Sequence, residues 1–231
     1  INANIIGLTD LDAQGIEGIE KSYNNFLQGQ TGKKRVRKDR LGNVIDDIEV
    51  LEEKKAAGNL QLSIDQRIQA VAYSQLKRSV KMHHATSGSI VVLDVHTGEI
   101  YAMANYPSFN PNDRSQYQPY KLRNRAITDT FEPGSTVKPL VVASALAYKK
   151  AGIDEVINTS PGWMHIGGRR VRDGKNLGKI DLGMILKKSS NIGVSKLALR
   201  LQPGQLQQTF ADFGLGNDTG IGLIGESVGR L

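Results

Sequence analysis

The chain has 231 residues, 39% of them hydrophobic and 23% charged, with a formal net charge of +7. That length supports one large domain or two modest ones around a real core. The absence of cysteine excludes thiol catalysis, thiolate metal sites and disulfides. His83 and His84 are adjacent while His96 and His165 stand alone, so none has the i, i+4 spacing of a helical metal pair. The longest apolar run, around Pro139–Ala147, is roughly half of what a membrane span needs. The densest basic stretch, Gly32–Arg40, has no interleaved aromatic residues and no helix-turn-helix or zinc-finger spacing. It reads as a solvated loop or edge strand, with no nucleic-acid partner. The chain begins with Ile1 and shows no signal peptide at its start. It therefore reads as a piece of a longer protein, with any membrane anchor upstream.

Residues 1–58 read as an α+β module. Ile16, Ile19, Tyr23 and Phe26 have helical spacing closed by Gly29, which predicts one helix. Leu41-Gly42-Asn43 is a turn signal between two potential strands and predicts a hairpin. The small, polar run from Lys54 to Asn59 marks a junction, with a second domain over 59–231. Leu60–Ile64 alternates like a short strand. Asp65 then caps a predicted helix running to about His83, with Ile68, Val71, Ala72, Leu76 and Val80 as its apolar stripe.

A β-branched run from Ile90 to Val95, a turn at His96-Thr97-Gly98 and a return from Ile100 to Ala104 predict a second hairpin. Residues 105–130, rich in Asn, Pro, Tyr and Arg, read as a long irregular connection of a kind that is often functional. Ser135–Lys149 is a helix apolar enough to be buried. His165–Gly174 reads as a turn-bearing loop or hairpin, and two helices follow at about Asp181–Lys188 and Ile192–Leu201, broken at Ser189-Ser190-Asn191. The glycine-rich tail lacks the Lys-Ser/Thr of a phosphate loop and reads as a loop.

Two constellations carry chemistry. In "FEPGSTVKP", Phe131–Pro139, the helix starts at or next to Ser135. The hydroxyl then lies at the positive end of the helix, where free N–H groups stabilise a developing alkoxide. Lys138 is one turn on, and a desolvated amine there can act as a base near neutral pH. The spacing alone leaves two readings open, a nucleophile or a helix cap, because Ser74 and Lys77 repeat the pattern in the middle of another helix. In "KKSSNIGVSK", a hydroxyl and an amide two residues apart sit on a break between helices and can face one cleft. Ser22/Asn24 and Ser108/Asn110 share the letters, but only the Ser189 copy follows the Ser135 helix at a distance that lets the chain fold back.

Together with "GSIVVLDVHTGEIYAMANYPSFNPN", these segments resemble the transpeptidase domain of penicillin-binding proteins. The upstream "IIGLTDLDAQGIEGIEKSYNNFLQG" and "VRKDRLGNVI" resemble the non-catalytic pedestal module of class B members, and the likeness is strongest to the septal, cell-division branch of Gram-negative bacteria. The resemblance implies an α+β fold: a partial transpeptidase domain of helical cluster and antiparallel sheet, lacking its C-terminal strands, preceded by part of a small module. It implies Ser135 as the acylated nucleophile, Lys138 as its base, Ser189 as proton relay and Asn191 as the group orienting donor peptide and lysine. Glu132 and Ser190 would line the substrate. The implied reaction is D,D-transpeptidation of peptidoglycan stem peptides ending in D-Ala–D-Ala, with β-lactams as trapped mimics and no metal or organic cofactor. Division-machinery membrane proteins would be partners, and the catalytic domain would face the periplasm from an inner-membrane anchor upstream.

The family's third element, Lys-Thr/Ser-Gly on a strand after Asn191, has no counterpart before Leu231; His96-Thr97-Gly98 shares its letters only. Loss of one oxyanion donor from that strand typically costs about 100- to 1000-fold in rate, so this segment alone is expected to be crippled. Two other readings share the residues: a β-lactamase or β-lactam sensor of the same fold, and a non-catalytic scaffold module of the division machinery.

Overall fold

The computed structural model describes residues 1–231 apart from the side chains of Asp47 and Gln116. The fold is α+β, and every sheet among the described residues is a two-stranded antiparallel pair. No helix among them is long and apolar enough to cross a membrane. The chain divides into two compact units, 1–129 with 221–227, and 130–220 with 228–231.

In the first unit, α1 (Ala3–Ile6) leads to a pair of short strands, β1 (Leu8–Thr9) and β2 (Gly15–Glu17). The single helix expected from Ile16 to Phe26 is instead β2 followed by α2 (Gly18–Ser22) and α3 (Asn24–Gln28). Two contacts explain the break. Gly18 has φ +61°, and a Cβ there would lie 2.5 Å from the Ile5 carbonyl oxygen, so two backbones meet where the helix was expected to run. Asn24 Oδ1 accepts from the Gly15 N–H at 2.7 Å, which fixes the start of α3 against β2. Gly29 ends α3 at φ +64°, as its position predicts. The first hairpin pairs β3 (Lys33–Lys38) with β4 (Val44–Glu52). Its turn is held by Asp39, whose Oδ1 accepts from the Leu41 and Asn43 N–H groups, both at 2.8 Å.

Helix α4 (Gln66–Met82) starts where Asp65 accepts from the Arg67 and Ile68 N–H groups. Its buried stripe is Gln69, Ala72, Leu76 and Val80, packed on the hairpin of β5 (Gly88–Leu93) and β6 (Ile100–Tyr106). Ile68 and Val71 are 37% and 62% exposed, so the stripe is narrower than the apolar residues suggested. Gln69 takes the first buried position because its amide completes the edge of β6. Nε2 donates to the Met103 carbonyl at 3.0 Å, and Oε1 accepts from the Met103 N–H at 2.8 Å. Leu60–Ile64 makes no ladder; it touches β6 through the Ser63 hydroxyl on the Ile100 carbonyl and, just beyond, the Asp65 N–H on the Tyr101 carbonyl. The connection after β6 contains a 3-10 turn (Arg114–Gln116) and two one-turn helices, α5 (Pro119–Leu122) and α6 (Arg125–Thr128). Buried Asn4 donates to the carbonyls of Lys121, Leu122 and Arg123, and so satisfies the end of α5.

The second unit opens with a 3-10 turn (Gly134–Val137) that runs into α7 (Lys138–Ala147). There follow β7 (Val156–Asn158), the hairpin of β8 (Trp163–Ile166) and β9 (Arg169–Arg172), and β10 (Lys179–Asp181), which pairs back with β7. Helices α8 (Leu182–Lys187), α9 (Asn191–Ala198) and α10 (Gln205–Asp212) complete it. Val141, Val142 and Ala145 of α7 share a core with Ile157, Ile180, Leu182, Ile185 and Leu197. Each fully buried Leu or Ile contributes about 1.5–3 kcal/mol. Helix α10, which the sequence did not announce, packs Leu206 and Phe210 on this core and sets the Thr209 hydroxyl 3.0 Å from buried Ser144.

Replacing Gln69 by Leu preserves volume and leaves both Met103 backbone groups without their partner. The expected loss is about 1–3 kcal/mol, read as a lower urea midpoint of the first unit.

Candidate active site

The local sequence explains how Ser135 and Lys138 come to face one another's surroundings. Gly134 has φ +60°, a conformation that favours glycine, and it turns the loop into the 3-10 segment. The Thr136 hydroxyl locks that turn by donating to the Pro133 carbonyl at 2.6 Å. Side chains at i and i+3 of a 3-10 turn eclipse, which puts Lys138 under Ser135. Pro139 lies in the first turn of α7, where its missing N–H costs little. Ser135 is exposed, whereas Lys138 is only 7% exposed.

The second half of the site is the corner between α8 and α9. Ser189 has φ +52°, in the left-handed region that a non-glycine residue occupies at a cost of order 1–3 kcal/mol. Ser190 caps α9, its hydroxyl accepting from the Gly193 N–H at 2.9 Å. Asp173, just after β9, clamps the corner from the other side. One of its carboxylate oxygens accepts from the Ser190 hydroxyl at 2.6 Å, and the other accepts from the N–H groups of Asn191 and Ile192. Asn191 Nδ2 donates to the Arg172 carbonyl at 2.9 Å, which turns its Oδ1 toward the lysine. Gly193 allows α9 to approach α8: a Cβ there would lie 2.6 Å from Ile185 Cγ1 and 3.1 Å from the Ser190 hydroxyl oxygen.

The two halves meet through hydrogen bonds. Lys138 Nζ donates to the Ser189 carbonyl at 2.6 Å, to Asn191 Oδ1 at 2.7 Å and to the Ser189 hydroxyl at 2.9 Å. The Ser189 hydroxyl in turn donates to Ser135 Oγ at 2.9 Å. Among the described residues, Lys138 makes no direct hydrogen bond to Ser135; it reaches that hydroxyl through Ser189. Burial lowers the Lys138 pKa from its ordinary 10.5, and the charge of Asp173 opposes the shift. A neutral amine keeps two N–H bonds to the carbonyl and the amide oxygen. Its lone pair then faces the Ser189 hydroxyl; once that hydroxyl turns to donate to Lys138 and accepts from Ser135, a proton can pass from Ser135 to Ser189 to Lys138.

Four of the six residues singled out in the sequence, Ser135, Lys138, Ser189 and Asn191, thus share one network. Ser190 is 1% exposed and both its bonds hold the corner together. Glu132 is exposed on the loop before the turn. Asp173 escaped the sequence reading because it stands alone in the basic run "GGRRVRDGK", and no spacing ties it to residues 17 to 19 positions later. The second S-x-x-K pair, Ser74 and Lys77, lies within α4 in the other unit. Among the described residues, no three His, Asp or Glu side chains gather to hold a metal ion.

Asp173→Asn removes the charge that favours protonated Lys138, so the lysine pKa is expected to fall further. NMR titration of isotopically labelled lysine Nζ reads the direction. Gly193→Ala is expected to cost about 1–3 kcal/mol through overpacking against Ile185, measured as a lower midpoint of thermal unfolding.

Residues 88–231 match the family described as the penicillin binding protein transpeptidase domain, and residues 2–62 match the penicillin-binding protein dimerisation domain. The chain is 49% identical over 229 residues to peptidoglycan D,D-transpeptidase FtsI of Escherichia coli K12, covering 99% of this chain and 38% of that protein. It is 41% identical over 231 residues to the probable peptidoglycan D,D-transpeptidase PenA of Neisseria meningitidis serogroup A, covering 99% of this chain and 39% of that protein. It therefore spans about two fifths of the length of these curated relatives. Penicillin binding protein 3 of Mycobacterium tuberculosis, in its apo form, is similar in structure with a TM-score of 0.83 at 32% identity, over 100% of this chain and 48% of that one. The same protein complexed with ampicillin gives a TM-score of 0.83 over 99% of this chain and 48% of that one. The helices and hairpins described above are a partial transpeptidase fold with a dimerisation module before it, and the chain belongs to the penicillin-binding protein transpeptidase family.

Proposed function

We propose that the protein carrying this chain is a peptidoglycan D,D-transpeptidase that cross-links stem peptides at the division septum. The observation that carries the reading is the relay from Ser135 Oγ through Ser189 Oγ to the buried Lys138 amine. Its likeness to E. coli FtsI supports the substrate class. In this reading, Ser135 Oγ attacks the carbonyl carbon of the penultimate D-Ala, and its proton passes through Ser189 to neutral Lys138. The lysine returns that proton to the nitrogen of the departing D-Ala. An amine of a neighbouring stem then attacks the acyl ester and loses its proton to Lys138; as the ester C–O bond breaks, that proton returns through Ser189 to Ser135 Oγ, and the lysine is neutral again. Asn191 holds the lysine by its Oδ1, while Asp173 and Ser190 act as positioning residues.

β-Lactams are proposed to acylate Ser135 and remain there, in line with the ampicillin and aztreonam complexes of the M. tuberculosis relative. The matches at 2–62 and 88–231 support a pedestal module over 1–58 and a transpeptidase domain from 59 onward. The proposed setting is the periplasmic face of the inner membrane, with an anchor upstream and division-machinery membrane proteins as partners. Glu132, exposed on the loop three residues before the nucleophile, is a proposed rim contact for substrate.

Fluorescent penicillin tests the reading in the full-length gene product. Ser135→Ala is expected to abolish covalent labelling while leaving unfolding unchanged, and labelling that survives the change sinks the proposal. Ser189→Ala breaks the proton path and is expected to slow acylation about 100- to 10,000-fold, the usual range for a lost acid–base group. The base must be neutral, so acylation is expected to fall as pH drops through the Lys138 pKa, on a limb displaced below the ordinary lysine range. A pH profile of the acylation rate measures that limb.

A further inference from the structure

We propose that the exposed face of the β8–β9 hairpin binds a carboxylate-bearing part of the peptidoglycan substrate, remote from the reacting amide; this rests on the transpeptidase reading above. The register sets Trp163 opposite Arg172 and His165 opposite Arg170, so these four side chains share one face, and all four are exposed. The Arg170 guanidinium lies 4.7 Å from the centroid of the Trp163 ring, and Trp163 meets His165 edge to face at 5.4 Å. Contact with a ring uses none of the N–H donors with which a guanidinium grips a carboxylate, and it holds the side chain in place before a ligand arrives. Among the described residues, neither Arg170 nor Arg172 has a carboxylate partner. One cation held over an aromatic ring, with the exposed Arg172 on the same face, complements an anionic ligand.

The hairpin is also tied to the reacting atoms. Strand β9 ends at Arg172, whose carbonyl accepts from Asn191, and the next residue, Asp173, clamps the corner that carries Ser189. At the other end Gly167 and Gly168, both at positive φ, close the strands with a two-residue turn. A ligand group seated on this face is therefore held at a fixed offset from the Lys138 network, and binding energy gained there orients the amide at Ser135.

The test uses the full-length gene product and two synthetic stem peptides ending in D-Ala–D-Ala, both with the terminal carboxylate free. One keeps its remaining carboxylates and the other has them amidated. The wild-type protein is expected to prefer the carboxylate peptide at least tenfold in kcat/KM, with kcat as well as KM affected. Arg170→Gln is expected to erase that preference, Arg170→Glu to invert it, and Arg170→Lys to restore part of it. Penicillin labelling of each variant reports an intact Ser135 site. Normal labelling with the wild-type preference retained in Arg170→Gln and Arg170→Glu overturns the proposal and leaves a solvated surface only. Equal use of both peptides by the wild-type protein overturns it as well. Failure of the wild-type protein to label at all refutes the transpeptidase reading itself, which separates the two ideas.

Discussion

An amine withdrawn from water among oxygen atoms sets the terms for everything around it. Lys138 is nearly inaccessible, yet its Nζ has three acceptors within 2.9 Å, all supplied by Ser189 and Asn191. Burial disfavours its charged form, while the acceptors and the carboxylate of Asp173 favour it. A group balanced in this way can take and return a proton, provided the acceptors do not move. The surrounding structure fixes them.

That rigidity comes from three pieces of chain. Helix α7 delivers the lysine, the α8–α9 corner delivers the acceptors, and the residue after β9 delivers the clamp. The corner is strained at Ser189 and kept by bonds on either side of it: Asp173 to Ser190, Asn191 and Ile192, and Lys138 to the Ser189 carbonyl. Beneath it, Ile185, Leu197 and the apolar face of α7 fill the core, and Gly193 removes the one side chain that would hold α8 and α9 apart. Removing Asp173 would leave buried donors without acceptors, which is costly in a low-dielectric setting.

Features set within a few residues were legible from the chain. The Asp65 cap, the turn at Leu41-Gly42-Asn43, the stop at Gly29 and the hairpin of β5 and β6 depend on neighbours in sequence, and each forms where its residues place it. The stretch from Ile16 to Phe26 shows the opposite case. Its spacing is helical, but a backbone contact between Gly18 and Ile5 and a side-chain bond from Asn24 to Gly15 divide it. Gln69 sits at a core position for a reason that lies on β6, 34 residues away.

The site divides along the same line. By itself, the sequence determined which groups are chemically able to act: a serine before an apolar helix, a lysine one turn later, and a Ser-x-Asn break between two more helices. These follow from turn and helix periodicity, which operate over three or four residues. Only the tertiary structure decided that the lysine reaches Ser135 through Ser189, that Ser190 serves the corner, and that Asp173 holds all of it. Apart from the local cap of Ser190 on Gly193, those facts rest on partners 17 to 54 residues apart, brought together when the cores fill, and no local pattern encodes a contact that packing alone creates.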